Sequence, residues 1–291
     1  MEYVFDPYTW REKRKILTQN ELIVPGLEMF GLEGGNRQLG TLPPHIHRST
    51  EFLYLANGAQ TYFIGEKEYL LTGNNVLVVN KDVVHSTGGQ AYGRYENIWF
   101  RIDLPVFAQN LPLPPAERIN FCDRITNLSS PILSLRENRF PQMQSAFYSL
   151  ASGEPAEQLR GYAQFIDFVA YLLKCTDPAA SYSPDIQQAV QYIADHVENT
   201  ITLEELAHLC HLSLSAFKQK FHRETGVSPR EYINLQKIKQ AKTLLTAGKS
   251  VTETAFALDF SSSSYFSVVF KQMENVAPAI WQAEQNKKRE V

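Results

Sequence analysis

The feature that most restricts what this chain can fold into is a residue pattern that occurs twice near its end. Phe217, Phe221, Gly226 and Pro229 return 49 positions later as Phe266, Phe270, Asn275 and Pro278, while Ala207 returns at Ala255, one residue sooner. Each copy reads as a helix opening near Thr202 or Ser250, a tight turn at His211-Leu212-Ser213 or Asp259-Phe260-Ser261, and a second helix. That is the spacing of a helix-turn-helix, occurring twice. The punctuation agrees. Ser183-Pro184 sets a capping hydroxyl before a proline at the first helical position. Thr202-x-x-Glu205, Ser228-x-x-Glu231 and Ser250-x-x-Glu253 are capping-box patterns, each ahead of an amphipathic run. Gly226 and Gly248 stand where a helix ends in a left-handed residue. About seven short helices are predicted in the last roughly 105 residues.

Helical periodicity sorts the side chains of the second helix in each copy. In the first, Leu214, Phe217 and Phe221 face inward, while Ser215, Lys218, Gln219 and His222 share another face at i, i+3, i+4 and i+7. Lys suits guanine acceptors and Gln suits adenine, so this face fits the major-groove edges of double-stranded DNA. In the second copy the corresponding face holds Ser264, Ser267, Val268 and Lys271, with Phe266, Val269, Phe270 and Met273 inward. Val268 can touch a thymine methyl but donates no hydrogen bond. The first recognition helix is therefore expected to carry most of the discrimination, and the second to add backbone contacts through Lys271 and its hydroxyls. A net charge of −3 argues against a nonspecific nucleic-acid coat. Locally, however, Lys218, Lys220, Arg223, Arg230, Lys237, Lys239, Lys242 and Lys249 face only Glu224 and Glu231 between positions 218 and 249. That is a basic surface of the kind that meets phosphates.

The first third has a different period. "EFLYLA", Asn57-Gly58, "QTYFI", Gly65, "KEYLL", Thr72-Gly73 and "VLVVN" read as short strands with turns, and Asn-Gly is the strongest short hairpin signal. From about Pro141 the helical period returns, with Leu159, Tyr162, Phe165, Ile166, Val169 and Leu172 or Leu173 forming a stripe wide enough to bury against a domain or a second subunit. "TDPAASYSP" reads as a linker. The expected fold class is α+β and multidomain. A ligand-sensing β-barrel occupies 1–110, with its strand core at about 39–105. A helical support and dimerisation segment follows at 111–175, a linker at 176–184, and an all-α double helix-turn-helix domain at 185–285.

The C-terminal segment resembles the arabinose-regulator (AraC) family of bacterial transcription factors through "SLSAFKQKFHRETGVSPREY", "KIKQAKTLL" and "SVTETAFALDFSSSSYFSVVFKQMENVAPAIW". The resemblance implies two helix-turn-helix subdomains joined by a long helix near Arg230 to Ala247, entering successive major grooves on one side of the duplex. Departures gather in the second copy. The family usually has Gly where Asp259 stands, Arg where Val268 stands, and Gly-x-Thr-Pro where Asn275-Val276-Ala277-Pro278 stands. Asn275 still tolerates a left-handed conformation, whereas the lost Arg weakens base reading by the second unit. The N-terminal part resembles the cupin-type sensor domain found in many members of that family. Gly40, His45, His47, Glu51 and Gly58 lie close to its first motif. Gly73, Asn80-Lys81-Asp82 and His85 resemble its second, with Asn80 and Asp82 replacing the usual Pro and Gly.

In a strand, His45 and His47 would share a face. With Glu51 and His85 they make a three-His, one-carboxylate set that suits Fe, Mn, Ni or Zn. Three uses compete: a bound transition metal, a metal-free pocket that hydrogen-bonds a small polar effector, and a structural role at the barrel mouth. The attached DNA-binding domain favours the effector pocket, because a sensor needs differential affinity rather than turnover. No cofactor is therefore expected. A small barrel of about eight strands can hold one small ligand. Tyr54, Tyr62, Arg94, Trp99 and Arg101 extend the candidate effector-binding set, since aromatic faces with a few directed polar groups suit a carbohydrate.

The chain is thus expected to be a transcription regulator and not an enzyme. The alternative is a metal-dependent cupin oxygenase or isomerase with an autoregulatory or degenerate C-terminal domain. "MEYVFDPYTWREKR" lacks a signal-peptide layout, and no apolar run reaches the roughly 20 residues of a membrane span. Cys122, Cys175 and Cys210 suggest neither a disulfide framework nor a zinc ribbon. A cytoplasmic homodimer is expected, with promoter DNA and a small-molecule effector as partners, RNA polymerase as a further candidate, and no membrane.

Overall fold

Strand β3 (Thr50–Ile64) organises the first of the two compact units into which the chain divides. The computed structural model describes residues 14–35, 42–87, 92–176, 182–274 and 276–289. Gly40, Asn275, most of the expected linker and the side chain of Arg94 lie outside the described residues. In the first half of β3, Glu51, Leu53 and Leu55 point to one side of the sheet and Phe52, Tyr54 and Ala56 to the other, as strand alternation requires.

The hairpin expected at Asn57-Gly58 is absent, because β3 runs straight through both residues. Gly58 adopts φ +91°, and the pairing with β7 (Tyr92–Ile102) shifts register on either side of Asn57. The dipeptide therefore makes a β-bulge, in which positive φ bends a strand without reversing it. The bend lets one long strand serve two sets of partners. Its first half pairs with β5 (Asn75–Val79) and β7, and its second half with β4 (Lys67–Thr72) and β6 (His85–Thr87). The Gly73 amide donates to the Gly58 carbonyl at 2.8 Å, and the Asn57 side-chain amide donates to Glu96, which pins the bulge from both sides. The tight turns fall instead at Gly65 and at Gly73-Asn74, where Gly65 and Asn74 carry the positive φ. With β1 (Arg14–Thr18), β2 (Leu27–Gly35) and β8 (Ile132–Ser134), the sheet runs β1-β2-β7-β3-β5-β8, with β4 and β6 added on β3.

One face of this bent sheet encloses Ile16, Leu53, Leu55, Tyr62, Leu71, Leu77, Val79, Tyr95 and Trp99. The other is covered by helices: α1 (Leu104–Gln109), α2 (Pro115–Thr126), α3 (Phe140–Ala151) and α4 (Pro155–Cys175). Phe165 of α4 lies 5.7 Å from the Phe30 ring and 5.2 Å from Phe100, and Phe168 stacks on Tyr54. Gly161 lets α4 lie close on α3, since a Cβ there would meet the Ala146 carbonyl at 2.9 Å. The apolar stripe read from the sequence is thus largely spent inside this unit, on Phe165, Val169 and Leu172. Leu159 is left 64% exposed.

The second unit is built from seven described helices: α5 (Pro184–Asp195), α6 (Leu203–Leu209), α7 (Leu214–Thr225), α8 (Pro229–Thr246), α9 (Val251–Ala257), α10 (Ser263–Glu274) and α11 (Pro278–Arg289). Ser228 and Ser250 form complete capping boxes with Glu231 and Glu253. The expected box at Thr202 is only half made. Its hydroxyl caps the Glu205 amide, but the Glu205 carboxylate accepts from the Tyr192 hydroxyl at 2.6 Å. Ser183 holds the cap position without bonding the helix backbone, and bonds the Asp185 side chain instead.

Both helix-turn-helix turns are closed the same way. His211 and Asp259 are left-handed, with φ +55° and +53°, and the next amides, of Leu212 and Phe260, reach back to Ala207 and Ala255 at 2.9 and 3.0 Å. Three residues separate the Cys210 cap from α7, and four separate the Leu258 cap from α10. That extra residue is why the two copies differ by 48 positions before the turn and 49 after it. Cys175 and Cys210 are buried and Cys122 half-buried, all as free thiols. Among the described residues no helix is long and apolar enough to cross a membrane.

Candidate functional site

The first recognition helix, α7, buries Phe217 and Phe221 and exposes Ser215, Lys218, Gln219 and His222. Arg223, not assigned to this face from the sequence, is exposed beside them, four residues after Gln219. On α10, Ser264, Val268 and Lys271 are exposed, as are Tyr265 and Gln272, which sequence reasoning also missed. Both follow from the repeat, because they occupy the positions of Ala216 and Arg223 in the first copy. Ser267 is half-buried, and its hydroxyl donates to the Ser263 carbonyl at 2.8 Å, so one of the second copy's expected polar contacts is turned back on its own helix.

The basic surface is smaller than the residue list suggested. Lys220 is paired with Asp185 at 2.6 Å, Lys242 with Glu274 at 3.3 Å, and Lys237 is buried, donating to the Leu258 carbonyl at 2.6 Å. Burial lowers the Lys237 ammonium's affinity for its proton, with nearby Asp259 opposing the shift. These three lysines hold the helices together. Lys218, Arg223, Arg230, Lys239 and Lys249 remain exposed.

In the first unit the structure brings four of the predicted residues into one cluster. Ligand-type atoms of His45, His47, Glu51 and His85 all lie within 4.8 Å of one another, and all but His45 are buried. His45 and His47 are not in a strand. His45 forms an isolated bridge with His85, each amide donating to the other's carbonyl at 2.9 and 3.0 Å, which brings their rings to 4.2 Å. His85 Nε2 faces Glu51 Oε2 at 2.9 Å, and His47 Nε2 lies 3.6 Å from Glu51 Oε1. Arg101 Nη1 donates to His47 Nδ1 at 2.9 Å.

The electrostatics follow from these contacts. Burial alone would raise the Glu51 carboxyl, but hydrogen bonds from His47 and His85 outweigh it and hold the group well below the ordinary carboxylate range. Burial alone would lower His85, and the Glu51 bond reverses that and raises it. His45 is lowered, by burial first and then by the neighbouring His85.

Tyr62 and Trp99 face the same interior. The Tyr62 hydroxyl bonds that of Tyr95, which also accepts from Asn97, and burial pushes Tyr62 up, keeping its hydroxyl neutral. Trp99 rests on Gly31, where a Cβ would sit 2.2 Å from the indole. Tyr54 is not part of this interior. It lies on the helix-covered face, where its hydroxyl accepts from the Arg139 amide at 3.0 Å. Buried Asn97 and Tyr95 were missed, although they precede Trp99 and Arg101 at two-residue steps along β7 and therefore share their face. Three imidazoles, a carboxylate and a guanidinium can hydrogen-bond a small polar molecule, and the nitrogen and oxygen donors also fit a divalent transition metal.

Comparisons with known proteins bear on both units. Residues 26–164 match the family described as AraC-like ligand binding domain, and residues 206–284 match a helix-turn-helix domain family. The HTH-type transcriptional activator RhaS of Klebsiella pneumoniae (strain 342) is 28% identical over 117 residues, covering 39% of this chain and 42% of that protein. RhaS of Salmonella paratyphi B is 23% identical over 246 residues, covering 81% and 86%. The chain thus spans less than half of the first relative and most of the second. Among solved structures, the C-terminal domain of AraT, a response regulator from Geobacillus stearothermophilus, is 26% identical. It covers 35% of this chain and 86% of its own, with a TM-score of 0.34.

Proposed function

The chain belongs to the AraC family of DNA-binding transcriptional regulators, and we propose on that premise that it is a cytoplasmic sensor of a sugar or related polar metabolite. The observation that carries the reading is the matched pair of helix-turn-helix units, one of which exposes Lys218, Gln219, His222 and Arg223 on a single helix. Lys218 and Gln219 read base edges, while Lys271 and the small hydroxyls of α10 position the backbone. In the first unit, His45, His47, Glu51, His85 and Arg101 supply directed polar groups, and Tyr62 and Trp99 supply aromatic surface. That combination suits a carbohydrate. The relatives are transcriptional activators, which leaves the oxygenase or isomerase alternative without support.

The effector shifts the regulator only through unequal affinity for its two states. A homodimer formed through 111–175 is part of the reading, supported by exposed apolar residues on its helices, Ile119 on α2 and Leu159 on α4. Promoter DNA and, for an activator, RNA polymerase are the macromolecular partners.

A duplex selected from a random DNA pool provides the test. Binding followed by fluorescence anisotropy should weaken linearly on a log–log salt plot, with a slope of about −0.9 per phosphate neutralised. No salt-dependent binding would overturn the regulator reading. Thermal-shift screening against aldoses, organic acids and aromatics tests the effector class. A ligand at about 100 times its Kd adds roughly 2.7 kcal/mol of apparent stability. Shifts confined to acids or aromatics would end the sugar reading.

A further inference from the structure

We infer that Tyr265 and Val268 make α10 a reader of pyrimidine 5-methyl groups, selecting thymine or 5-methylcytosine in the major groove by apolar contact where α7 selects bases by hydrogen bonds. The inference rests on the regulator reading and names what its second helix-turn-helix recognises.

Pairing the copies at their 49-residue offset shows what has been exchanged. Ala216, Lys218 and Gln219 of α7 stand where α10 carries Tyr265, Ser267 and Val268. The Ser267 hydroxyl commits its hydrogen to the Ser263 carbonyl at 2.8 Å, and Val268 has none to give. Apolar surface takes the place of the donors. Tyr265 is 48% exposed and Val268 54%. A single exposed apolar side chain needs no explanation. These two lie three residues apart, which sets their Cβ atoms about 5 to 6 Å apart on one helix face. That face is the one the repeat equates with the reading face of α7.

Base edges are met by the N-terminal part of a recognition helix. Ser264, Tyr265 and Val268 therefore face the bases, while Lys271 and Gln272, in the last turn, reach the phosphates. The tyrosine ring is also held in place. Ser262 caps the Tyr265 amide at 3.1 Å, and the buried Phe260 ring lies 6.0 Å from the Tyr265 ring at 59°. A ring anchored in this way loses little freedom when it meets a base.

The floor of the major groove offers one apolar group, the C5-methyl of thymine, among hydrogen-bond donors and acceptors. Bases of one strand succeed each other every 3.4 Å or so along the axis, so side chains about 5 to 6 Å apart reach methyls one or two steps apart. A polar edge covered by Val268 or the tyrosine ring loses its water and gains no partner. Cytosine, with an amino group and no methyl, is disfavoured there for that reason. Methylated at C5, it presents a methyl at the same place, and binding becomes sensitive to cytosine methylation. The exposed ammonium of Lys271 on the same face suits a phosphate, which marks the occupant as DNA rather than an apolar protein surface.

The test uses the full chain and the duplex selected from the random pool, with each thymine replaced in turn by deoxyuridine. The replacement removes one methyl and keeps every hydrogen-bonding group. Anisotropy should find at least one position where it weakens wild-type binding about fourfold, the effect of one buried methyl. Tyr265→Ala/Val268→Ala should lose the response at that position, while Gln219→Ala keeps it. Both replaced side chains are exposed, and surface substitutions of this kind leave stability nearly unchanged. Tyr265→Phe, which keeps the ring, should behave as wild type. Cytosine at the same position should bind more weakly than 5-methylcytosine by about the same factor.

Binding of the selected duplex with no methyl whose removal depends on Tyr265 and Val268 would overturn the inference and leave the regulator. Loss on Tyr265→Phe as large as on the double variant would overturn reading by apolar contact. Absence of salt-dependent binding to any duplex would remove both the inference and the regulator. Sedimentation without DNA checks the other occupant. A smaller mass for the double variant, with the deoxyuridine response unchanged, would overturn the inference by assigning the pair to a contact between copies of the chain.

Discussion

The two helix-turn-helix units agree inside and differ outside. Inside, Ala207 and Ala255 are buried at the same point. The Phe217–Phe221 and Phe266–Phe270 rings pack at 5.4 and 5.6 Å, and a left-handed residue closes each turn. Outside, α7 shows Lys218, Gln219, His222 and Arg223, while α10 shows Tyr265, Val268, Lys271 and Gln272. Packing leaves little choice to an inner face, because each position must fit its neighbours. An outer face answers only to solvent or DNA, so two copies with the same fold can read DNA unequally.

The largest expected effects test the shared interior. Phe217→Ala and Phe266→Ala should each cost about 3 to 5 kcal/mol in urea melts of the full chain, the range for a buried aromatic truncated to Ala. Well-separated losses would break the structural equivalence. Next comes the outer face. Gln219→Ala should lose about 1 to 3 kcal/mol of affinity for the selected duplex, by anisotropy, and Val268→Ala much less. Val268→Arg should tighten binding and steepen the salt slope by about one unit. Equal losses at 219 and 268 would show that both helices read bases.

Smaller effects are expected at the caps. Ser250→Ala, which dismantles a complete box, should cost about 1 kcal/mol in thermal melts, more than Thr202→Ala, whose partner Glu205 is already engaged by Tyr192. The smallest concern the turns. His211→Gly should stabilise by up to about 1 kcal/mol, because glycine takes positive φ without strain. Asp259→Gly should gain less, since it forfeits the 2.6 Å bond from Thr200 to the Asp259 carboxylate.

What was legible in the sequence was what neighbours along the chain decide. The capping pairs Ser228/Glu231 and Ser250/Glu253, the inward phenylalanines and both turns are settled within a few residues. Asn57-Gly58 shows the limit. Its residues announce positive φ, but a hairpin and a bulge both use positive φ, and only pairing with β5 and β7 selects the bulge. The basic list failed for the same reason, since Asp185, Leu258 and Glu274, which engage Lys220, Lys237 and Lys242, lie 21 to 35 residues away, beyond what periodicity reveals. In the first unit the four clustered residues could be read from spacing. Tyr54 could have been set aside, because it alternates with Glu51 and Leu53. The contact of Arg101 with His47, 54 residues apart, was beyond local reasoning.

The helix between the two readers has a consequence for how such a chain can diverge. α8 is continuous from Pro229 to Thr246, and buried Lys237 ties its middle to the end of α9. A residue inserted in a helix rotates everything beyond it by about 100° and advances it about 1.5 Å. The additional residue in the second turn lies in a loop and is absorbed there. Descendants of this chain are therefore free to change the outer faces of α7 and α10, one substitution at a time. An insertion or deletion in α8 would instead change the spacing of the operator and require a new DNA site in a single step.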